Sequence, residues 1–163
     1  MMRKGLLVAA LLVGAFLTYK ILFPSDEERI RRTLYAGKEA IEREDLEGVM
    51  KHVSFRYRDG NGFTYLRVKA IFARIFEDFD EIKIHIRKME VEIPKRRLGK
   101  AILLAWGTAR GSDGVGYIVG SVQEPSKVVI FLEKGRGGWK AVSYTHLRAH
   151  ETRHDLVCRL LLE

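Results

Sequence analysis

Three spacings of apolar residues divide the chain. From Gly5 to Phe23 the residues are apolar without a period, interrupted only by Thr18, Tyr19 and Lys20. From Ser25 the period becomes helical. Ile30, Leu34, Gly37 and Ile41 share one face, and Leu46, Val49, Met50 and Val53 make the apolar side of a shorter helix starting at Asp45. Leu66, Val68, Ile71, Phe72, Ile75, Phe76 and Phe79 form a wide stripe on a third helix from Thr64 to Phe79. That stripe predicts the third helix as the largest contributor to the core. Ser25 with Glu28 is a capping box. Phe55-Arg56-Tyr57-Arg58 reads as a short strand, and Asp59-Gly60-Asn61-Gly62 as a turn.

From Glu81 the period is two. Ile82, Ile84 and Ile86 alternate with Lys83, His85 and Arg87, and the apolar set then slips by one residue to Met89, Val91 and Ile93. Such a slip predicts a bulge and a sharply bent strand. Pro94-Lys95-Arg96-Arg97-Leu98-Gly99 turns the chain, Ala101 to Arg110 returns, and Val115 to Val122 is a weaker strand. Lys127 to Lys134 and Trp139 to Ser143 form a hairpin around Gly135-Arg136-Gly137-Gly138. Helices followed by strands predict an α+β fold, with N-terminal helices packed on a strongly bent antiparallel sheet and one transmembrane helix in front. Ala101 to Trp106 and Val128 to Leu132 are apolar on both faces, so the outer sheet face is expected to be covered by a second copy, as a homodimer, or by a partner protein.

Composition narrows the class. With 163 residues, 47% hydrophobic and 31% charged, and one Cys, the chain fits one globular domain and excludes collagen-like, disordered and disulfide-scaffold proteins. A net charge of +8 favours anionic surfaces without naming a partner. As a helix, Gly5 to Phe23 spans about 28 Å, close to the roughly 30 Å of bilayer hydrocarbon. Arg3 and Lys4 precede it and Asp26-Glu27-Glu28 follow, which predicts a single-pass anchor in a bacterial inner (cytoplasmic) membrane with the domain facing the periplasm or outside. The alternative is a cleaved signal peptide, for which Val13-Gly14-Ala15 offers small residues. Both place the domain in an oxidising compartment, yet Cys158 alone makes no intramolecular disulfide. The expected division is an anchor over 1–24, a domain over 25–143 and a tail over 144–163.

The order of helix, short helix, Phe55-Arg56-Tyr57-Arg58-Asp59-x-x-Gly62, helix, and a long bent sheet closing on Glu133-Lys134-x-x-x-Gly138-Trp139-Lys140 resembles the nuclear transport factor 2-like superfamily over residues 25–143. That resemblance implies a cone-shaped, cystatin-like α+β fold whose sheet wraps the long helix and leaves a pocket. It also implies a choice, because the superfamily holds enzymes such as ketosteroid isomerase and scytalone dehydratase as well as ligand binders and scaffolds. One expectation is a membrane-anchored extracytoplasmic binding or scaffold domain without catalysis. The inner-membrane assembly components of type IV secretion are similar in that plan. The other is an isomerase or dehydratase acting on a small hydrophobic substrate in the pocket.

Chemistry of the isomerase kind needs a pocket carboxylate as general base opposite an acid such as Tyr. Asp59 with Tyr57 is the candidate catalytic pair, joined by Tyr35 or Tyr117, although Asp59 opens a turn signal and reads more simply as a turn former. Tyr35, Phe72, Phe76 and Trp106 are candidate pocket residues. His52 and His85 have no visible acid partner and read as structural or surface residues. Lys95, Arg96, Arg97 and Lys100, with Arg87 and Lys88, gather around one hairpin and are candidates for contact with anionic lipid headgroups. No aromatics interleave this cluster, so nucleic acid is not expected, and nothing calls for a cofactor.

His150-Glu151-Thr152-Arg153-His154 is a literal HExxH, and His146 and Cys158 continue it at four-residue spacing. Only nine residues follow His154, leaving no chain for a cleft and a third ligand built around that helix. Ser143 to Glu163 closely resembles a translated sequencing-adapter tail. His150, Glu151 and His154 are therefore read as artefactual, and no metal site is assigned.

Overall fold

The first helix begins at the expected cap. In the computed structural model, which describes Gly14 and residues 24–147, helix α1 spans Asp26–Glu42 and Ser25 Oγ accepts the Glu28 N–H at 3.2 Å. Glu28 directs its carboxylate to Arg32, at 3.1 Å, rather than back to the cap. Asp45 caps α2, Leu46–Lys51, by accepting the Gly48 N–H at 2.9 Å. Helix α3, Tyr65–Asp78, starts at Thr64 with no side-chain cap.

Five antiparallel strands follow: β1 Asp80–Lys95, β2 Leu98–Gly111, β3 Gly114–Val119, β4 Ser126–Gly135 and β5 Gly138–Leu147. Their order is β1-β2-β4-β5, with β3 also paired to β2. Strand β2 is the spine, since β4 takes Leu98 to Ala105 of one edge and β3 takes Gly107 to Gly111. The expected slip is a bulge: Ile86 lies opposite Ala105 and Lys88 opposite Leu104, leaving Arg87 over. Ile82, Ile84 and Ile86 keep the inner face before it, and Met89, Val91 and Ile93 after it. Strand β5 runs beyond the expected end at Ser143, pairing Tyr144 with Ile130 and Thr145 with Val129.

The core sits between α1 and the inner sheet face, where Ile30, Ala101, Leu103, Leu132 and Trp139 are buried together. A second cluster joins Met50, Val53 and Tyr57 to Tyr65, Val68 and Tyr144. The expectation for α3 is corrected here: none of its residues is buried, and Leu66 is 74% exposed. Helix α1 occupies the seat on the sheet, and α3 makes its close backbone approach to α2 instead. Val68 and Tyr65 hold one end of α3 in the second cluster, while at the other end the Phe79 ring covers Gly111.

The strand expected at Phe55-Arg56-Tyr57-Arg58 is also corrected. Tyr57 N–H returns to Ser54 O at 2.9 Å, so the segment is a turn, laced to β5 by Ser54 N–H to Ala141 O at 2.8 Å and Arg58 N–H to Val142 O at 3.0 Å. β-Propensity is a weak prior against such tertiary pairing. The outer sheet face carries Ile102, Leu104, Trp106, Val129 and Phe131, but the ion pairs Lys88–Glu90 and Lys100–Glu92 lie across it, so it is less apolar than β2 and β4 alone suggest. Among the described residues, no helix is long and apolar enough to cross a membrane. The expected anchor at 5–23, Gly14 apart, and the His150, Glu151 and His154 motif lie outside the described residues.

Candidate functional site

Asp59 is the one charged residue among the described residues that is buried, at 7% exposure. Its Oδ1 accepts the N–H groups of Asn61 and Phe63, both at 2.9 Å, and its carbonyl accepts Gly62 N–H at 3.1 Å. Gly62 sits at φ +82, a left-handed conformation that glycine adopts without steric cost. These bonds close the turn that delivers the chain into α3, so the carboxylate is first of all a turn former. Its other oxygen, Oδ2, lies 3.5 Å from the Tyr57 hydroxyl, at the long limit of a hydrogen bond. Burial, with the nearby Asp59 carboxylate and Tyr144 adding to it, pushes the Tyr57 hydroxyl well above its ordinary value. Tyr57 is therefore a neutral donor at physiological pH, and Oδ2 is the part of Asp59 that the turn does not consume. The burial of this pair has no signal in the sequence beyond the turn itself.

Helix α3, whose Tyr65 and Val68 pack in the cluster of Tyr57, carries a half-covered apolar stripe further along. Ile71, Phe72, Ile75, Phe76 and Phe79 are all neither buried nor fully exposed. The Phe72 and Phe76 rings lie tilted at 42° with centroids 5.9 Å apart. Phe79 touches β2 at Gly111, on the side of the sheet shared by Ala105, Gly107 and Ala109. At Gly111 the Phe79 ring, just past the end of α3, thus meets a strand position that has no side chain of its own.

Of the four candidate pocket residues, the structure brings Phe72 and Phe76 together. Tyr35 is 47% exposed, one position off the Ile30 and Leu34 face of α1. Trp106 stands on the opposite face of the sheet, stacked on His85 at 5.1 Å and 15° with the Arg87 guanidinium 5.4 Å from its ring. Tyr117 is on that outer face too, opposite Thr108. His52 packs against Gly37 of α1, and burial first, then Lys140 and Lys51, lower its pKa. Among the described residues, no three His, Cys, Asp or Glu side chains gather as metal ligands do.

The basic hairpin divides as well. Lys95, Arg96 and Arg97 are exposed, whereas Lys100 is paired with Glu92 at 3.1 Å. Arg97 donates from Nε and Nη2 to Lys134 O at 3.2 and 3.0 Å, and Lys134 Nζ in turn reaches Asp26 Oδ1 at 2.6 Å. Sequence spacing gave no sign of this chain of contacts, because its members lie up to 108 positions apart.

No protein-family profile matches the chain, and no curated protein does. Solved structures do. A candidate aromatic ring hydroxylase from Novosphingobium aromaticivorans is similar at 16% identity and a TM-score of 0.65, covering 77% of this chain and 90% of that one. A nuclear transport factor 2-like superfamily protein from Salmonella enterica is similar at 11% identity and a TM-score of 0.63, covering 78% and 93%. A ketosteroid isomerase-like protein from Erwinia carotovora matches at 14% identity and 0.60, covering 79% and 100%. At such identities the likeness concerns the fold, and the helices packed on a bent antiparallel sheet described above are the nuclear transport factor 2-like α+β fold.

Proposed function

We propose that the chain is a membrane-tethered extracytoplasmic domain that binds a small apolar molecule along the half-covered apolar side of α3 without transforming it. The observation carrying this reading is the engagement of Asp59, the one buried carboxylate among the described residues: two turn amides occupy Oδ1 and the Tyr57 hydroxyl faces Oδ2 at 3.5 Å, so each oxygen has a neighbour inside the fold. A general base must reach its proton directly or through one water. The apolar side of α3 otherwise offers Phe72, Phe76 and their aliphatic neighbours, which suit an apolar guest held by area rather than by polar contacts. The tether is the Gly5 to Phe23 segment.

The Tyr57 hydroxyl beside Asp59 Oδ2 supports a second reading, an isomerase or dehydratase in which Tyr57 donates to a carbonyl and Asp59 moves a proton. One experiment separates the two. The full chain in detergent is incubated with small cyclic ketones in D2O, and deuterium in the recovered ketone is followed by mass spectrometry. Binding without wash-in is expected; wash-in that Asp59→Asn abolishes would establish the second reading.

A further inference from the structure

One end of the domain gathers cations at the point where the chain leaves for its N-terminal apolar segment. The first turn of α1 is fixed to the β4–β5 hairpin by Asp26, which accepts Lys134 Nζ at 2.6 Å and Trp139 Nε1 at 3.4 Å. The same hairpin is fixed to the β1–β2 turn by Lys134 N–H to Arg97 O at 3.0 Å and by the Arg97 guanidinium on Lys134 O. Pro24, Lys95, Arg96, Arg97 and the hairpin residue Arg136 are thereby brought to one end. Lys95, Arg96, Arg97 and Arg136 are all exposed and enter no ion pair among the described residues.

The acids that could neutralise them are engaged elsewhere. Lys134 takes Asp26, Arg32 takes Glu28, Arg56 takes Glu133 and Lys100 takes Glu92. Glu27 is left against four cations. Leu98, 42% exposed in the same turn, adds an apolar group beside them.

We propose that this end of the domain lies against an anionic bilayer surface, with Lys95, Arg96, Arg97 and Arg136 among the lipid headgroups. The inference rests on the tether reading, since Pro24 and Ser25 are too short a connection to hold this end far from the membrane that Gly5 to Phe23 enters. It commits to lipid because the cations form an exposed rim of two turns rather than a concave pocket with fixed donors, which suits a fluid array of headgroups. Each basic residue near such a surface contributes enough for about a five-fold change in partitioning. Lys100, held by Glu92, takes no part.

The test uses the full chain in nanodiscs of phosphatidylcholine alone or mixed with phosphatidylglycerol. Amide hydrogen exchange is read at the Lys95 to Leu98 and Gly135 to Gly138 turns, with the Gly111 to Gly114 turn at the far end of β2 as internal reference. In the anionic discs the two basic turns should exchange at least about five-fold more slowly while the reference is unchanged. Lys95→Glu with Arg96→Glu and Arg136→Glu, three side chains without hydrogen bonds among the described residues, should abolish the protection. Equal exchange in both lipids would overturn the docking and leave the tether standing. A chain not retained by the discs would overturn the tether instead, and the same comparison with added phosphatidylglycerol vesicles would then decide the docking: protection upholds it, its absence overturns it.

Discussion

Ile30 Cδ1 lies 2.5 Å from the point where a Cβ on Gly99 would stand, and the Trp139 ring is 3.2 Å from that point. Both neighbours are buried, so neither can swing into solvent. Helix α1 approaches β2 as closely as it does because Gly99 has no side chain. Gly99→Ala should therefore destabilise the protein by about 1–3 kcal/mol in urea unfolding, the usual cost of overpacking a core, even though Gly to Ala elsewhere in a strand is favourable. Ile30→Val, which removes the offending methyl, should recover part of that loss when combined with it. Additive costs would show that the contact is not the cause.

How much of this was legible in the sequence depends on the kind of signal. The Arg87 bulge was visible because a strand has a strict period of two, and one extra residue changes the parity of every position after it. Ser25 and Asp45 were visible because a helix start needs a local acceptor. The weak burial of α3 was not visible: amphipathic spacing says which face of a helix is apolar, not which helix wins the seat on the sheet. Asp59 was legible as a turn former, but its burial comes with Tyr57 and Phe63 of its own turn meeting Tyr144 of β5, a long-range approach that spacing does not show. Residue type alone makes Trp106 a pocket candidate, and its pairing with His85 across the β1–β2 ladder puts it on the other face.

Asp59 offers a graded test of the turn. Asp59→Ala leaves the Asn61 and Phe63 amides without their acceptor and should cost about 1–3 kcal/mol. Asp59→Asn keeps an oxygen acceptor at the same place and should cost clearly less. Tyr57→Phe gives up only a 3.5 Å contact and should be milder than Asp59→Ala. Urea midpoints for the three variants provide the order. A Tyr57→Phe cost above that of Asp59→Ala would mean that the Tyr57 hydroxyl, not the turn, organises this corner.

The Asp26 to Lys134 bond predicts a contribution on the acid side of the stability profile. The hydrogen bond from Lys134, opposed by burial and aided by Trp139, holds the Asp26 carboxyl below its usual value of 3.8. A depressed carboxyl adds stability that is present above its unfolded pKa and is lost as pH falls through the folded one. With both groups about one-third exposed, Lys134→Met should cost about 1 kcal/mol or less at neutral pH. It should also flatten the loss of stability on acidification below about pH 4. Denaturant titrations of both proteins across that range would reveal it, and parallel acid limbs would remove Asp26 from the account.

His52 works in a separate window and with the charged form disfavoured. Burial, then Lys140 and Lys51, push its pKa below the ordinary 6.5, so between the folded and unfolded values the unfolded chain binds more protons. Stability contributed by neutral His52 is complete above pH 6.5 and declines as pH falls through the window beneath it. The sign is the same as for Asp26, but the decline comes at higher pH, before the carboxylates begin to titrate. His52→Gln keeps a polar side chain of similar length against Gly37 of α1 without a titrating ring. Subtracting its urea midpoints from those of the natural chain between pH 5 and 8 cancels every other histidine, and the difference should fall with acidification. A flat difference would show that His52 is as free to protonate in the fold as outside it.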